Sequence, residues 1–223
     1  MPIILGQLLL IAIISYLWGS IPSGYWMGKL LRGRGFDVRN YGSHKTGATN
    51  VRRTLGNGPA AVVFAFDLSK GVGPTLLALG PFFYSAGWGP TVAGLAALLG
   101  HCFPVFIRFK GGRGVLTGAG ALLVISPLIF LISTLTTIGA IVISRYVSLG
   151  SILGSLTTII CGIIFFLIGQ INLAQLVFLV VTPGLIILFH YDNIGRLLAG
   201  KERKIGQKQV VATPSNTPSN LQV

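Results

Sequence analysis

VLTGAGALLVISPLIFLISTLTTIGAIVIS, residues 115–144, is the stretch whose reading decides the fold. It runs for 30 residues without a charge, well beyond the roughly 20 that carry a helix across a bilayer. Read as one span, and followed by further apolar runs at 148–168 and 172–189, it puts the basic stretch KERKIGQK (201–208) outside the cell. That breaks the rule that lysine and arginine stay on the cytoplasmic side. Ser126 and Pro127 interrupt the run. A proline removes one backbone donor and disfavours helix at the residue before it, so the stretch divides into a short helix at 115–125 and a second at 128–144. Arg145 then returns to the cytoplasm.

Working outward, residues 3–22 form a first apolar segment whose basic residues follow it, which predicts a retained helix with its N-terminus outside. Apolar runs at about 59–80 and 90–107 come next. The segment between them, PFFYSAGWGP, is uncharged and carries Tyr84 and Trp88 as interfacial aromatics. The expectation is an all-α, polytopic membrane protein of seven transmembrane helices, some short, with the N-terminus outside and the C-terminus cytoplasmic. A five-span version, in which 115–144 dips in and out without full crossings, has the same parity. Residues 1–204 read as one transmembrane domain. Residues 205–223, ending VATPSNTPSNLQV, are rich in Pro, Ser and Asn and read as a disordered cytoplasmic tail.

Composition supports this class. Of 223 residues, 52% are hydrophobic and 9% charged, too few charges to solvate the surface of a water-soluble domain. The net charge of +13 would point to nucleic acid or acidic lipid in a soluble protein, but here the cations cluster between spans, where topology accounts for most of them. No nucleic-acid partner is expected. Cys102 and Cys161 lie in or beside apolar runs without metal-ligand spacing, so they read as packing residues, and neither a metal nor a cofactor is expected.

KLLRGRGFDVRNYGSHKTGATNVRRTLGNGP, residues 29–59, interrupts the oily chain with seven cations, one anion and six glycines. Glycines allow close backbone approach, successive N–H groups make an anion nest, and Ser43, Thr46, Thr49 and Asn50 can hydrogen-bond phosphate oxygens. Cations and flexible glycines would serve topology without any ligand, but the interleaved Ser, Thr and Asn favour an anion site. Two more polar clusters, 100–114 and 189–204, fall on the same side, so helix ends can gather all three into one basic pocket at the membrane surface. Such a pocket would take a phosphate from the cytosol and an acyl chain from the bilayer. Asp67 and Lys70, three residues apart within a span, lie on one helical face and can pair; a direct ligand contact is the other use for them.

GSIPSGYWMGK (19–29), DVRNYGSHKTGATNVRRTLG (37–56), DLSKG (67–71), GHCFPVFIRFKGGRGV (100–115), RYVSLGS (145–151) and HYDNIGRLLAGKERK (190–204) follow one another in an order and spacing that resemble the bacterial acyl-phosphate:glycerol-3-phosphate acyltransferases, the PlsY-type membrane enzymes. The resemblance spans residues 15–204. It implies a seven-helix membrane fold in the bacterial inner membrane, with the active site on the cytoplasmic face. It also implies transfer of an acyl group from acyl phosphate to glycerol 3-phosphate, giving lysophosphatidic acid and inorganic phosphate in phospholipid synthesis. Carried over residue by residue, it gives Ser43, Arg53, Arg113 and His190 as catalytic residues. Asn50, Lys110, Gly111, Gly112, Ser151, Asn193 and Arg196 follow as substrate-binding residues.

The chain departs from the family pattern at two places. His44 and Lys45 stand where a glycine and an asparagine are usual; histidine stiffens a turn that glycine leaves permissive, and lysine cannot accept a hydrogen bond. Lys45 is therefore expected to serve topology and not a ligand. Arg113 stands where lysine is usual and keeps the charge while adding bidentate geometry. His190 alone reads as a cap on the last carbonyls of the final helix, and His101 and Pro104 read as shaping a helix end. With four acidic residues and three histidines in the chain no general base stands out, so an oxygen of the substrate phosphate is expected to take the hydroxyl proton. A transporter of a phosphorylated solute and a binder of anionic lipid are the readings from other classes. The oligomeric state is open.

Overall fold

The computed structural model describes residues 2–84 and 87–207. Ten α-helices follow in order: α1 (Pro2–Gly19), α2 (Ser23–Arg32), α3 (Ala48–Leu55), α4 (Asn57–Leu77), α5 (Trp88–Cys102), α6 (Val115–Ile125), α7 (Pro127–Ser144), α8 (Val147–Leu167), α9 (Leu173–Leu188) and α10 (Tyr191–Leu198). Short 3-10 turns stand at Val38–Asn40 and Val105–Ile107, and no strand occurs among the described residues.

The break inside 115–144 is real. Ser126 leaves the helical region (φ −150°, ψ 84°) and Pro127 opens α7, where its missing N–H and fixed φ suit a first helical residue. Seven apolar helices, α1 and α4–α9, therefore stand where the sequence placed them. Length limits how many cross. Five segments are long and apolar enough to span a bilayer, or six if α9 and α10, bent by 58°, count as one. The 11 residues of α6 rise only about 16 Å, roughly half a hydrocarbon core.

Small residues let these helices approach closely, as packing within lipid requires. A Cβ on Gly19 would overlap the Ala97 carbonyl, and one on Gly100 would overlap the Tyr16 carbonyl, so α1 lies backbone to backbone on α5. Gly71 and Gly120 bring α4 onto α6 in the same way, and Gly150 and Gly154 bring α8 onto α7. Ala121, Leu122, Ile125, Ile129, Phe178 and Leu179 fill the centre between α6, α7 and α9. A second cluster, Val38, Val51, Ala60 and Val63, seats α3 on α4.

The stretch read as a glycine-rich loop is partly helical. It contains the end of α2 and all of α3, and Gly24 of α2 packs against the Thr46 carbonyl. Beyond α10 the chain stays tied down past the expected boundary at 204, for the Ile205 N–H donates to the Arg145 carbonyl at 2.8 Å. The disorder expected at 205–223 otherwise falls outside the described residues from 208 onward.

Gly100→Leu should lower the unfolding temperature in detergent by several degrees, because a backbone carbonyl cannot move aside and overpacking costs about 1–3 kcal/mol. Gly139→Ala in α7, where an added Cβ meets nothing within 4 Å, should leave it unchanged or raise it.

Candidate active site

Residues 38–53, 101–114 and 190–202 meet at one end of the bundle. Arg39 ties the first to the second: it grips Asp37 through paired contacts of 2.7–3.1 Å and donates to the Ile107 carbonyl at 3.0 Å. That guanidinium holds the Asp37 carboxyl below its ordinary value. The Asn50 side chain organises the loop from within. Its Nδ2 reaches the carbonyls of Val38, Tyr41 and Lys45 at 2.8–3.1 Å, and its Oδ1 accepts from the Ser43 N–H at 2.8 Å. Both Nδ2 hydrogens of Asn50 are committed to the loop, so it has no donor left for a substrate phosphate, and it acts by fixing the backbone that carries Ser43.

These segments wall a cavity of about 600 Å³ lined by Ser43, Asn50, Arg53, Arg113, Ser151, His190 and Asn193, seven of the eleven residues expected from sequence. The cavity has two characters. Its polar end holds these residues and the first turn of α3, Gly47–Thr49, which lacks a side-chain cap and so presents backbone donors suited to an anion. Its other wall, on α6 and α7, is mainly apolar, with Leu116, Ala119, Phe130, Ile138 and Ile141 and, among them, Thr134 and Thr137.

Cations without carboxylate partners gather at the polar end, an arrangement suited to an anion. Burial pulls the Arg53 guanidinium below its ordinary value, and the cations Arg203, Arg52 and Arg196 add to this while Glu202 opposes it. Burial does the same to Arg113, with Arg196 and Arg53 adding to it. Neither guanidinium pairs with a carboxylate among the described residues. Arg113 is aimed by its Nε–H, which donates to the Phe189 carbonyl at 3.2 Å. His190 sits at the bend between α9 and α10, where its Nδ1 lies 2.7 Å from the Ile186 carbonyl. A carbonyl only accepts, so Nδ1 carries the hydrogen and Nε2 is left as the acceptor. His190 is thus both the helix cap and a cavity residue.

Four expected residues stand outside the cavity lining. Lys110 is exposed. The Gly111 and Gly112 amides are consumed by the Cys102 and His101 carbonyls at 3.2 and 3.1 Å, so they hold the loop to the end of α5 and offer no donor to an anion. Arg196 pairs with Glu202 at 2.7 Å.

Glu202 was not foreseen. It is buried, and accepts from Ser148 Oγ at 3.0 Å, Asn193 Nδ2 at 2.8 Å and Arg196. Burial raises its carboxyl, but those three donors together bring it below its ordinary value. Because a carboxylate only accepts, the Asn193 amide is locked with Nδ2 toward Glu202. Its Oδ1, buried and without a partner, is left to the cavity side. One signal in the sequence was available: a lone acid inside a basic run, in a chain with four acids in all. Asp67 also lines the cavity, but its Oδ1 is taken by Lys70 at 2.5 Å and Ser23 at 2.6 Å. The pair expected from the i, i+3 spacing is therefore present. Asp192 is exposed and makes no ion pair among the described residues.

Comparison with known proteins agrees with this geometry. Residues 9–200 match the family described as Glycerol-3-phosphate acyltransferase. The chain belongs to the glycerol-3-phosphate acyltransferase family. A glycerol-3-phosphate acyltransferase of Thermoanaerobacter sp. (strain X514) is 44% identical over 199 residues, 89% of this chain and 96% of the relative. One from Aquifex aeolicus (strain VF5) is 41% identical over 196 residues, 88% of this chain and 98% of the relative. The fold is similar to a crystal structure of PlsY (YgiH), an integral membrane glycerol 3-phosphate acyltransferase, in its glycerol 3-phosphate form. The TM-score is 0.80 at 41% identity, over 89% of this chain and 96% of the other. The lysophosphatidic acid form of that enzyme gives a TM-score of 0.76 at 39% identity, over 89% and 95%. Within this acyltransferase family, the cavity is the candidate active site.

Removing Glu202 should show its role. Glu202→Ala leaves Arg196, Asn193 and Ser148 without their acceptor and should cost about 2 kcal/mol, since Arg196 is partly solvated. Glu202→Gln keeps an acceptor and should cost less. Thermal unfolding of the two purified variants checks the order.

Proposed function

We propose that this protein transfers a fatty acyl group from acyl phosphate to glycerol 3-phosphate at the cytoplasmic face of the bacterial inner membrane, releasing lysophosphatidic acid and inorganic phosphate. The observation that carries the reading is the cavity itself. Cations without carboxylate partners at one end suit two phosphates, and the apolar wall of α6 and α7 suits an acyl chain. Family membership supports glycerol 3-phosphate as the acceptor and favours an enzyme over a transporter or lipid binder.

Acyl phosphate is a mixed anhydride with a good leaving group, so orientation and charge stabilisation matter more than a strong base. Arg53, Arg113 and the uncapped first turn of α3 hold the phosphates. The unpartnered Asn193 Oδ1 and the His190 Nε2 accept hydrogen bonds from glycerol hydroxyls and orient the attacking oxygen. That oxygen forms a bond to the acyl carbonyl carbon, and the tetrahedral intermediate collapses with cleavage of the carbon–oxygen bond to phosphate. The hydroxyl proton passes to a phosphate oxygen of the substrate. Ser43, whose backbone N–H donates to Asn50 Oδ1, donates its hydroxyl to an oxyanion. Glu202 and Arg196 act on the substrate only through Asn193.

Purified protein should form lysophosphatidic acid from acyl phosphate and not from acyl coenzyme A or acyl carrier protein; robust turnover with a thioester alone would refute the donor. Arg53→Ala and Arg113→Ala should each lose about ten- to a hundredfold in kcat/KM, the scale of one charge-assisted hydrogen bond. Arg113→Lys should lose much less, because it keeps the charge.

Sidedness has its own test. In a background with Cys102 and Cys161 replaced by alanine, a cysteine at Asn57 should label only from the cytoplasm and one at Gln170 only from outside. The same sidedness at both positions would sink the orientation.

A further inference from the structure

We propose that Lys45 is a phosphate-binding residue of this cavity, supplying a third uncompensated cation that neither Arg53 nor Arg113 replaces. The proposal rests on the function given above and names a residue whose position in the chain suggested only a topology signal.

Lys45 lines the same cavity as Ser43, Arg53 and Arg113. Its backbone is clamped from two sides. The Lys45 carbonyl accepts from Asn50 Nδ2 at 2.8 Å, and the next carbonyl, Thr46, lies against Gly24 of α2 so closely that no Cβ fits there. The residue before it is held in an unusual state. His44 has φ +57°, a left-handed conformation that costs a side-chain-bearing residue energy. Its Nδ1 lies 2.8 Å from the Arg39 carbonyl, which anchors it there. The turn that delivers Lys45 to the cavity is therefore fixed, and the half-buried Lys45 side chain is set beside the opening, not out in the cytosol.

Charge balance says what it meets. Two carboxylates, Asp67 and Glu202, line the cavity, and each is already paired, with Lys70 and Arg196 respectively. Lys45, Arg53 and Arg113 have no carboxylate within 4.0 Å among the described residues. A phosphate monoester carries about −1.5 to −2 at neutral pH, so two phosphates bring about three to four negative charges. Arg53 and Arg113 alone leave that load half unmatched, and Lys45 is the remaining cation of the lining. A lysine suits the task as a compact point charge with three donors on a flexible stem.

The test compares wild type with Lys45→Ala, Lys45→Asn and Lys45→Arg, all purified at one ionic strength. It reads KM for glycerol 3-phosphate, KM for acyl phosphate, and inhibition by inorganic phosphate. Lys45→Ala and Lys45→Asn should raise one of these KM values about tenfold, the scale of one charge-assisted hydrogen bond, and Lys45→Arg should restore most of it. A rise for glycerol 3-phosphate alone assigns Lys45 to the acceptor phosphate. A rise for acyl phosphate, with weaker phosphate inhibition, assigns it to the donor phosphate. Unchanged constants in a folded Lys45→Ala protein overturn the proposal. A second readout needs no turnover: inorganic phosphate should raise the unfolding temperature of wild type more than that of Lys45→Ala, and equal shifts overturn the proposal. If wild type makes no lysophosphatidic acid, the function given above fails, while the phosphate-dependent unfolding still decides Lys45.

Discussion

The structure depends on holding positive charge at the end of a helix bundle without giving it a carboxylate. Arg53 and Arg113 are partly buried, their guanidinium groups are drawn below their ordinary values by that burial, and they repel each other. Removing charge from water is unfavourable unless a partner compensates. The two acids that could compensate them inside the cavity are committed elsewhere, Asp67 to Lys70 and Glu202 to Arg196. The cavity is therefore short of anions, which suits the two phosphate groups of the proposed reaction.

Everything beneath the cavity serves to keep those cations together. Glycine contacts between α1 and α5 and between α4 and α6 fix the helix ends from which the loops depart. Arg39 joins the first loop to the second, the Gly111 and Gly112 amides return the second loop to α5, and beyond the 58° bend at His190 α10 brings Asn193 to the cavity lining. Glu202 then sets the amide of Asn193 so that its nitrogen is taken and its oxygen is left without a partner. Preorganised donors of this kind suit the proposed reaction, whose leaving group is already good.

Much of this was readable from the sequence, and the reasons differ by element. The seven apolar helices were visible because lipid demands long uncharged runs, and the split at Ser126 and Pro127 because proline breaks helices by a local mechanism. Seven of the expected site residues line one cavity because the motif carries them together. The short helices α2 and α3 escaped notice, since they are amphipathic and are held by packing, Val51 on Val63 and Gly24 on the Thr46 carbonyl, that no local pattern announces. Gly111 and Gly112 stand among the substrate-binding residues that the resemblance implies, but whether an amide is free depends on carbonyls about ten residues away. Lys45 looked like one more topology cation because a count of charge along the chain does not show which way a clamped turn points.

Equilibrium binding of radiolabelled glycerol 3-phosphate to the purified protein, without any acyl donor, tests most directly the central claim that uncompensated cations recognise phosphate. Binding should saturate, be displaced by inorganic phosphate, weaken as salt rises, and be indifferent to an excess of free glycerol. Binding that glycerol displaces and inorganic phosphate does not would contradict the account, for recognition would then lie with the hydroxyls and the cations would have another purpose.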